Sequence, residues 1–206
     1  MAEIVHVIDD DEGVRESLRA LLELKGYAAR AHAKPADFLR DFKPEDSLCI
    51  LADLRMPGMG GLELQEHMAE HGIGVPFIVI TGHGDVPSAV RALKSGAADF
   101  IEKPLETALV LAAIEKAAAA RRQSLAEAQG VAAAKQKLRG LTRRELEVLG
   151  LLVCGQPNKI IAHRLGISPR TVENHRARLM MKMHADSVAE LVGIAMIAGL
   201  RPDLVD

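Results

Sequence analysis

Leu48-Cys49-Ile50-Leu51-Ala52-Asp53-Leu54-Arg55-Met56-Pro57-Gly58 decides how the first half of this chain folds. Five apolar residues in succession leave no polar face, so the segment reads as a strand covered on both sides. That is the mark of a parallel sheet held between helices. The run ends on a carboxylate, Asp53, and breaks at Pro57-Gly58, as a strand does on leaving a sheet for a loop. In open sheets of this kind the chemistry gathers beyond the carboxyl ends of the strands.

Working outward, strand candidates lie at Ile4–Ile8, 27–32, 48–52, 77–80 and 99–101. Helical patterns fall near 13–25, 35–42, 61–71 and 86–96, and a last one begins near Leu105. Five strand-helix units predict an α/β domain with a five-stranded parallel sheet covered on both faces. Residues 115–122 then form a strong helix former with little to bury, and 131–137 is again rich in Ala and Lys. We expect a helix that outgrows its domain and a linker over 121–138, helical in places. From Leu141 the pattern is purely helical and the segments are short. Thr142-Arg143-Arg144-Glu145 has capping-box spacing, Asn158 is a candidate cap for 159–165, and Ser168-Pro169 opens Pro169–Met183. A fourth helix runs from about 187 to 198. Two helices around a tight Gly166 turn predict a helix-turn-helix in a small all-α domain. The domains expected are 1–120, the linker 121–138, and 139–206.

The composition fits two unequal domains in 206 residues. With four Phe, one Tyr and no Trp, both cores must rest on Leu, Ile, Val, Ala and Met. Cys49 and Cys154 are too few for a disulfide framework and read as reduced, buried thiols. No apolar stretch approaches the ~20 residues of a membrane span. Met1-Ala2-Glu3-Ile4 lacks the basic-then-apolar order of a signal peptide, so the expected location is cytoplasmic. The net charge of −2 divides unevenly: residues 1–120 sum to −8, while 121–138 and 139–206 sum to +3 each. An acidic half joined to a basic half suits a cation site followed by a nucleic-acid site.

The acidic half concentrates its chemistry at strand ends. Asp9-Asp10-Asp11-Glu12 follows the first strand, Asp53 the third, Thr81 the fourth and Lys103-Pro104 the fifth. Carboxylates converging on one sheet edge repel unless a hard cation joins them, and Mg²⁺ suits one or two carboxylates plus water and phosphate oxygens. A carboxylate beside such a cation can attack phosphorus, with Lys103 as a second positive point and Thr81 as a hydroxyl donor. Taken singly, a strand-end Asp or Thr is a turn former and Lys103 a surface lysine. Their joint spacing is what points to phosphoryl chemistry.

These motifs resemble the receiver domain of response regulators: Asp9-Asp10, Asp53-Leu54-Arg55-Met56-Pro57-Gly58, Thr81-Gly82-His83-Gly84-Asp85 and Lys103-Pro104. The resemblance spans residues 3 to about 118 and implies a flavodoxin-like (βα)5 fold. It implies that Asp53 is the phosphoacceptor. Asp9, Asp10, Asp53 and the backbone carbonyl of Arg55 would hold Mg²⁺ or Mn²⁺, with Asp10 the more direct ligand of the acidic pair. Phe100 falls at the aromatic switch position that moves with Thr81, and Leu105 stands where Phe is commoner. The face of the fourth helix, fifth strand and fifth helix, around Val90, Lys94 and Ala98, would pair with a second copy.

Two other motifs compete. Asp9-Asp10-Asp11 also fits the Asp-x-Asp of haloacid-dehalogenase-type phosphatases, but no acidic pair follows Lys103 and the Asp53 segment is left unexplained. His67-Met68-Ala69-Glu70-His71 matches an inverted zinc-protease motif, with both histidines on one helical face. That helix covers the sheet away from the strand ends, so two solvated histidines are the reading preferred here.

In the basic half, Val172, Leu179 and Met183 recur at helical spacing and should face the core. Arg170, Glu173, Asn174, Ala177 and Arg178 then point outward as base readers: Arg suits guanine, Asn adenine, and Glu accepts from cytosine. Lys159, Thr171, Arg176 and Lys182 are better placed for phosphates. This half resembles the LuxR-type helix-turn-helix through Leu141-Thr142, Arg144-Glu145, Gly155, Asn158-Lys159, Ile161-Ala162, Ile167-Ser168, Thr171-Val172 and His175. In that family Glu145 corresponds to a buried acid that pairs inside the domain. Together the halves resemble FixJ/NarL-class two-component response regulators, and FixJ-like members in particular.

The resemblance implies a sensor histidine kinase, double-stranded operator DNA, a homodimer on phosphorylation and RNA polymerase as partners, with no membrane. It also implies no enzyme beyond the receiver's own phosphoryl transfer and hydrolysis. A DNA-binding or scaffold protein that ignores phosphorylation remains the alternative from a different class.

Overall fold

The computed structural model describes residues 3–82 and 86–201, the side chains of Val86 and Ser88 excepted. The His83-Gly84-Asp85 part of the fourth-strand motif therefore lies outside the described residues. The chain forms two compact units, Met1–Ser124 and Leu125–Asp206.

In the first unit, strands β1 (Ile4–Ile8), β2 (Ala28–His32), β3 (Ser47–Asp53), β4 (Phe77–Thr81) and β5 (Asp99–Glu102) alternate with helices. These are α1 (Glu12–Leu24), α2 (Pro35–Asp41), α3 (Gly61–Glu70), α4 (Val86–Lys94) and α5 (Thr107–Arg139). All strand pairs are parallel, in the order β2-β1-β3-β4-β5. β1, β3 and β4 are buried at every residue, which is why they read as nearly continuous apolar runs, interrupted in β1 by His6. Val5, Val7, Leu51 and Ile80 face α1 and α5, whereas Ile8, Ile50, Ala52 and Val79 face α2, α3 and α4. The chain reverses its direction of growth between β1 and β3, so the ends of those two strands border the crevice where such sheets bind ligands.

Residues 121–138, expected as a linker helical in places, lie within α5, which runs from Thr107 to Arg139. Arg121 and Arg122 belong to the first unit. The buried Arg121 guanidinium donates to the carbonyls of Pro44 (2.6 Å), Gly74 (3.0 Å) and Ser47 (3.4 Å), and Arg122 pairs with Glu3. Ala117 and Ala118 are buried and small enough to let the helix lie close, so an Ala-rich stretch hides real packing. Beyond Leu125 the helix serves the second unit: Ala134 is buried, Leu138 packs on that core, and Lys137 Nζ donates to Met183 O at 2.7 Å.

The second unit adds α6 (Arg143–Val153), α7 (Asn158–Leu165), α8 (Pro169–Met183) and α9 (Val188–Ile197). Val148, Leu149, Ile161, Val172, Leu179, Met183 and Leu191 fill its core with no exposed surface. Thr142 and Glu145 form the capping box before α6, and Ser168 Oγ caps α8 through Thr171 N at 3.1 Å. Asn158 is not a cap. Pro157 holds that position, and Asn158 is the first helical residue, its amide oxygen engaged elsewhere. Among the described residues no helix is long and apolar enough to cross a membrane. Burial pushes the Cys49 thiol up to about 12, and Cys154 is half-buried.

Candidate functional site

Parallel register delivers the expected groups to one end of the sheet. Asp53 ends β3 opposite Ile80, and Thr81 ends β4 opposite Glu102, one residue before Lys103. Lys103 N donates to Thr81 O at 2.7 Å, and Leu54 N to Ile80 O at 2.7 Å, so the three strand ends are stitched together by backbone bonds. Lys103 is joined to Pro104 by a cis peptide bond, which sequence reading did not foresee. Its Nζ donates to Asp53 Oδ1 at 2.6 Å and to Asp9 Oδ2 at 2.8 Å. Asp53 Oδ2 accepts from Arg55 N at 2.7 Å, and Asp9 Oδ1 from Asp11 N at 2.9 Å.

Asp9 is 1% and Asp53 6% exposed, so neither carboxylate has bulk water to stabilise it. Burial lifts the Asp9 carboxyl above its ordinary range, against the pull of Lys103 and the Asp11 N–H. Burial also works against the Lys103 ammonium, but the two carboxylates outweigh it and hold its pKa above that of ordinary lysine. One ammonium thus faces two buried acids, with exposed Asp10 adjacent in sequence. The pocket is short of positive charge.

That shortage, met by hard oxygen donors, is what Mg²⁺ fits. Asp9, Asp10, Asp53 and the Arg55 carbonyl would hold it. Among the described residues no three acidic, His or Cys side chains make a ready coordination sphere, and a metal that retains several waters does not need one.

Two supports escaped the sequence reading. Arg15 Nη1 donates to the carbonyls of Asp9 (2.8 Å) and Asp10 (2.9 Å), fixing the acidic loop. A Cβ on Gly61 would stand 2.4 Å from Asp53 O, and one on Gly60 2.8 Å from Leu54 O. Only glycine lets α3 start so close behind the acid, and the signal lay in Gly60-Gly61 following the Asp53 motif.

Thr81 is buried and Phe100 half-buried against the α2–α4 side of the core. Val90 and Lys94 are exposed on α4 and Ala98 is half-buried. Exposed Leu93 and Leu109, absent from the sequence reading, extend the apolar surface on α4 and α5. His67 on α3 and His71, its C-cap, have ring centroids 4.2 Å apart, and His71 Nδ1 donates to His67 O at 2.7 Å. They contribute nothing to the strand-end pocket.

In the second unit, the α7–Gly166–α8 geometry exposes Arg170, Glu173, Asn174, Ala177 and Arg178 along α8, with Lys159 exposed on α7. Two of the residues expected at phosphates also bond within the domain. Lys182 Nζ pairs with Oε2 of buried Glu145 at 2.7 Å, giving that acid its internal partner. Burial alone would raise the Glu145 carboxyl, but Lys182 and both donors of Thr142 outweigh it and bring it down to about 2. Arg176 Nη1 donates to Asn158 Oδ1 at 2.6 Å, tying α8 to α7. Thr171 is half-buried, its hydroxyl 2.8 Å from Ser168 Oγ. A basic helix looks uniformly available in sequence, yet part of its charge holds the domain together.

Comparison with known proteins agrees with this division. The family model described as response regulator receiver domain matches residues 5–115, and that for bacterial regulatory proteins of the luxR family matches 139–195. The chain is 48% identical to the transcriptional regulatory protein FixJ of Azorhizobium caulinodans, over 96% of this chain and 94% of that protein. It is 44% identical to FixJ of Rhizobium meliloti, over 96% and 97%. The solved structure of response regulator StyR superposes with a TM-score of 0.83 at 41% identity, covering 95% of this chain and 99% of that one. The dehalogenase-type reading falls with these matches. The chain belongs to the response regulators that join a receiver domain to a LuxR-type DNA-binding domain, and it is a FixJ-like transcriptional regulator.

Proposed function

We propose that a partner histidine kinase transfers a phosphoryl group to Asp53, and that the phosphorylated protein pairs and binds a two-half-site operator. The observation that carries this is the Lys103 ammonium lying between Asp53 and Asp9 at the end of the sheet. An oxygen of Asp53 attacks phosphorus, the phosphorus–nitrogen bond to the donor imidazole breaks, and the electron pair returns to the ring. Mg²⁺, when bound, offsets the charge of the phosphoryl oxygens. Lys103 then exchanges its bond to Asp53 for one to a phosphoryl oxygen, and the Thr81 hydroxyl donates to another. Arg55 N and Gly61 keep the acid in place throughout.

Movement of Thr81 draws on Phe100 and α4, remodelling the face that carries Val90, Leu93, Lys94, Ala98 and Leu109. Two copies meet there. A shift from mostly off to mostly on takes roughly 5 kcal/mol of preference for the active state, which new charged hydrogen bonds and dimer contacts supply together. On DNA, Arg170, Glu173, Asn174, Ala177 and Arg178 read bases, while Lys159 and Thr171 hold phosphates. Pairing raises the avidity of a domain with little net positive charge. Turnover is limited to the receiver's own phosphoryl transfer and hydrolysis, RNA polymerase is the downstream partner, and the setting is cytoplasmic.

Sedimentation velocity with and without acetyl phosphate and Mg²⁺, on wild type and Asp53→Asn, tests the reading. A monomer that dimerises only as phosphorylated wild type supports it. Equal dimerisation of both proteins, or DNA binding by Asp53→Asn that matches phosphorylated wild type, would overturn it.

A further inference from the structure

Gln65 sits in α3 with 4% of its surface exposed, a rare place for a carboxamide. Its Nε2 donates to Ala92 O in α4 at 3.2 Å, and its Oε1 has no protein partner among the described residues. The donated bond is therefore the polar contact that orients this side chain. Ala92 is also where α4 is terminated. Ala97 N donates to Ala92 O at 3.0 Å, Gly96 N to Leu93 O at 3.0 Å, and Gly96 adopts φ +90°. That pairing is a Schellman motif, with Ala92 O accepting the bond that spans more residues. Gln65 adds a second donor to the same carbonyl, so one atom closes the helix end and anchors it to α3. One residue away on each helix, Arg91 Nη2 donates to Glu66 Oε1 at 2.9 Å. Both ties grip the C-terminal half of α4, while its first turn, starting at Val86, is the part of the helix nearest to Thr81 in sequence.

We propose that Gln65 is a positioning residue that pins the C-terminal end of α4, so that α4 rearranges on phosphorylation by pivoting at Ala92 while its first turn swings. This rests on the reading of Asp53 as phosphoacceptor. A pinned end confines motion to the half nearest Thr81 and keeps Leu93 and Lys94 nearly fixed while Val90 moves. The dimer face then changes shape without α4 leaving the core.

Hydrogen–deuterium exchange on the full chain tests both halves of the proposal. In the unphosphorylated state, Gln65→Met keeps the volume and removes the donor. Exchange at amides 95–97 should rise about tenfold over wild type while β1, β3 and α1 are unchanged. Gln65→Leu should do the same and serves if the methionine variant misfolds. Equal exchange in wild type and variant, or a rise spread over the whole receiver, overturns the pin. In wild type, beryllofluoride with Mg²⁺ should change exchange in 86–90 while 95–97 stay protected. If 95–97 change as much as 86–90, the pivot is wrong and the switch stands. If no segment responds, switch and pivot fall together.

Discussion

Lys103 Nζ stands 2.6 Å from Asp53 Oδ1, and the same ammonium reaches Asp9 Oδ2 at 2.8 Å. The cation that would receive the phosphoryl group is already the countercharge that lets two buried acids lie side by side. Lys103→Ala leaves both uncompensated, a change that costs about 3 kcal/mol for a buried pair. The variant should lose about that much receiver stability in chelator and recover part of it in Mg²⁺, because a divalent ion supplies the missing charge. Urea unfolding in EDTA and in Mg²⁺ measures both. A variant as stable as wild type in EDTA would show that the ammonium is not the countercharge.

The Arg121 anchor makes the end of the first unit testable. A fragment ending at residue 120 lacks the guanidinium that holds the Pro44, Ser47 and Gly74 carbonyls, whereas one ending at 124 keeps it. Bonds from a charged donor contribute about 2 kcal/mol in such a setting. The shorter fragment should be less stable by about that amount in urea, and Arg121→Ala in the longer fragment should reproduce the loss. Equal midpoints for the two fragments would return Arg121 to a linker.

These cases mark how far the sequence could be read. The strand ends were legible because each functional residue lies at or just beyond the end of a strand-like run, and parallel register brings run ends together whatever the loops do. Asp9, Asp53, Thr81 and Lys103 needed no knowledge of distant contacts. The partners of Arg121, Lys182 and Asn158 were not legible because they lie far along the chain or on another helix. Arg121 reaches back to Pro44, Lys182 to Glu145, and Asn158 is met by Arg176. Local composition sees a solvated cation or a cap, and only packing decides otherwise. The constraint on Gly60 and Gly61 is the backbone of Asp53 and Leu54 behind them, which local sequence does not show.

Buried His6 gives the receiver an acid limit. Ser47 Oγ donates to Lys43 O at 2.7 Å, so it must accept from His6 Nε2 at 3.0 Å, and His6 Nδ1 is left to accept from His32 Nε2 at 3.2 Å. Burial lowers the His6 pKa from 6.5 to about 4, with His32 and Arg30 adding to it, while Phe38 and Phe42 pack against the ring. A depressed histidine means the unfolded chain binds the proton first. Stability is fully present above pH 6.5 and falls as pH drops towards 4, by about 2 kcal/mol between pH 6.5 and 5. Urea midpoints of wild type and His6→Gln over that range measure it. The variant should show a shallower pH slope, and equal slopes would clear His6 of the effect.

The Lys182–Glu145 pair separates fold from DNA contact. Glu145 is held at about 2 against 4.5 for an ordinary glutamate. A lowered carboxyl contributes stability that is complete above pH 4.5 and lost as pH falls towards 2. Lys182→Met should therefore destabilise the second unit by about 2 kcal/mol at pH 7 and flatten its acid unfolding profile. A phosphate contact releases a counterion on binding and a structural lysine does not. The salt dependence of operator binding should therefore keep its slope in Lys182→Met, but fall by about 0.9 per site in Lys159→Ala. Fluorescence anisotropy over a salt series, at a temperature where both variants are folded, reads that slope. A slope lowered equally by both substitutions would put Lys182 on the DNA backbone, and the buried acid would then need another partner on binding.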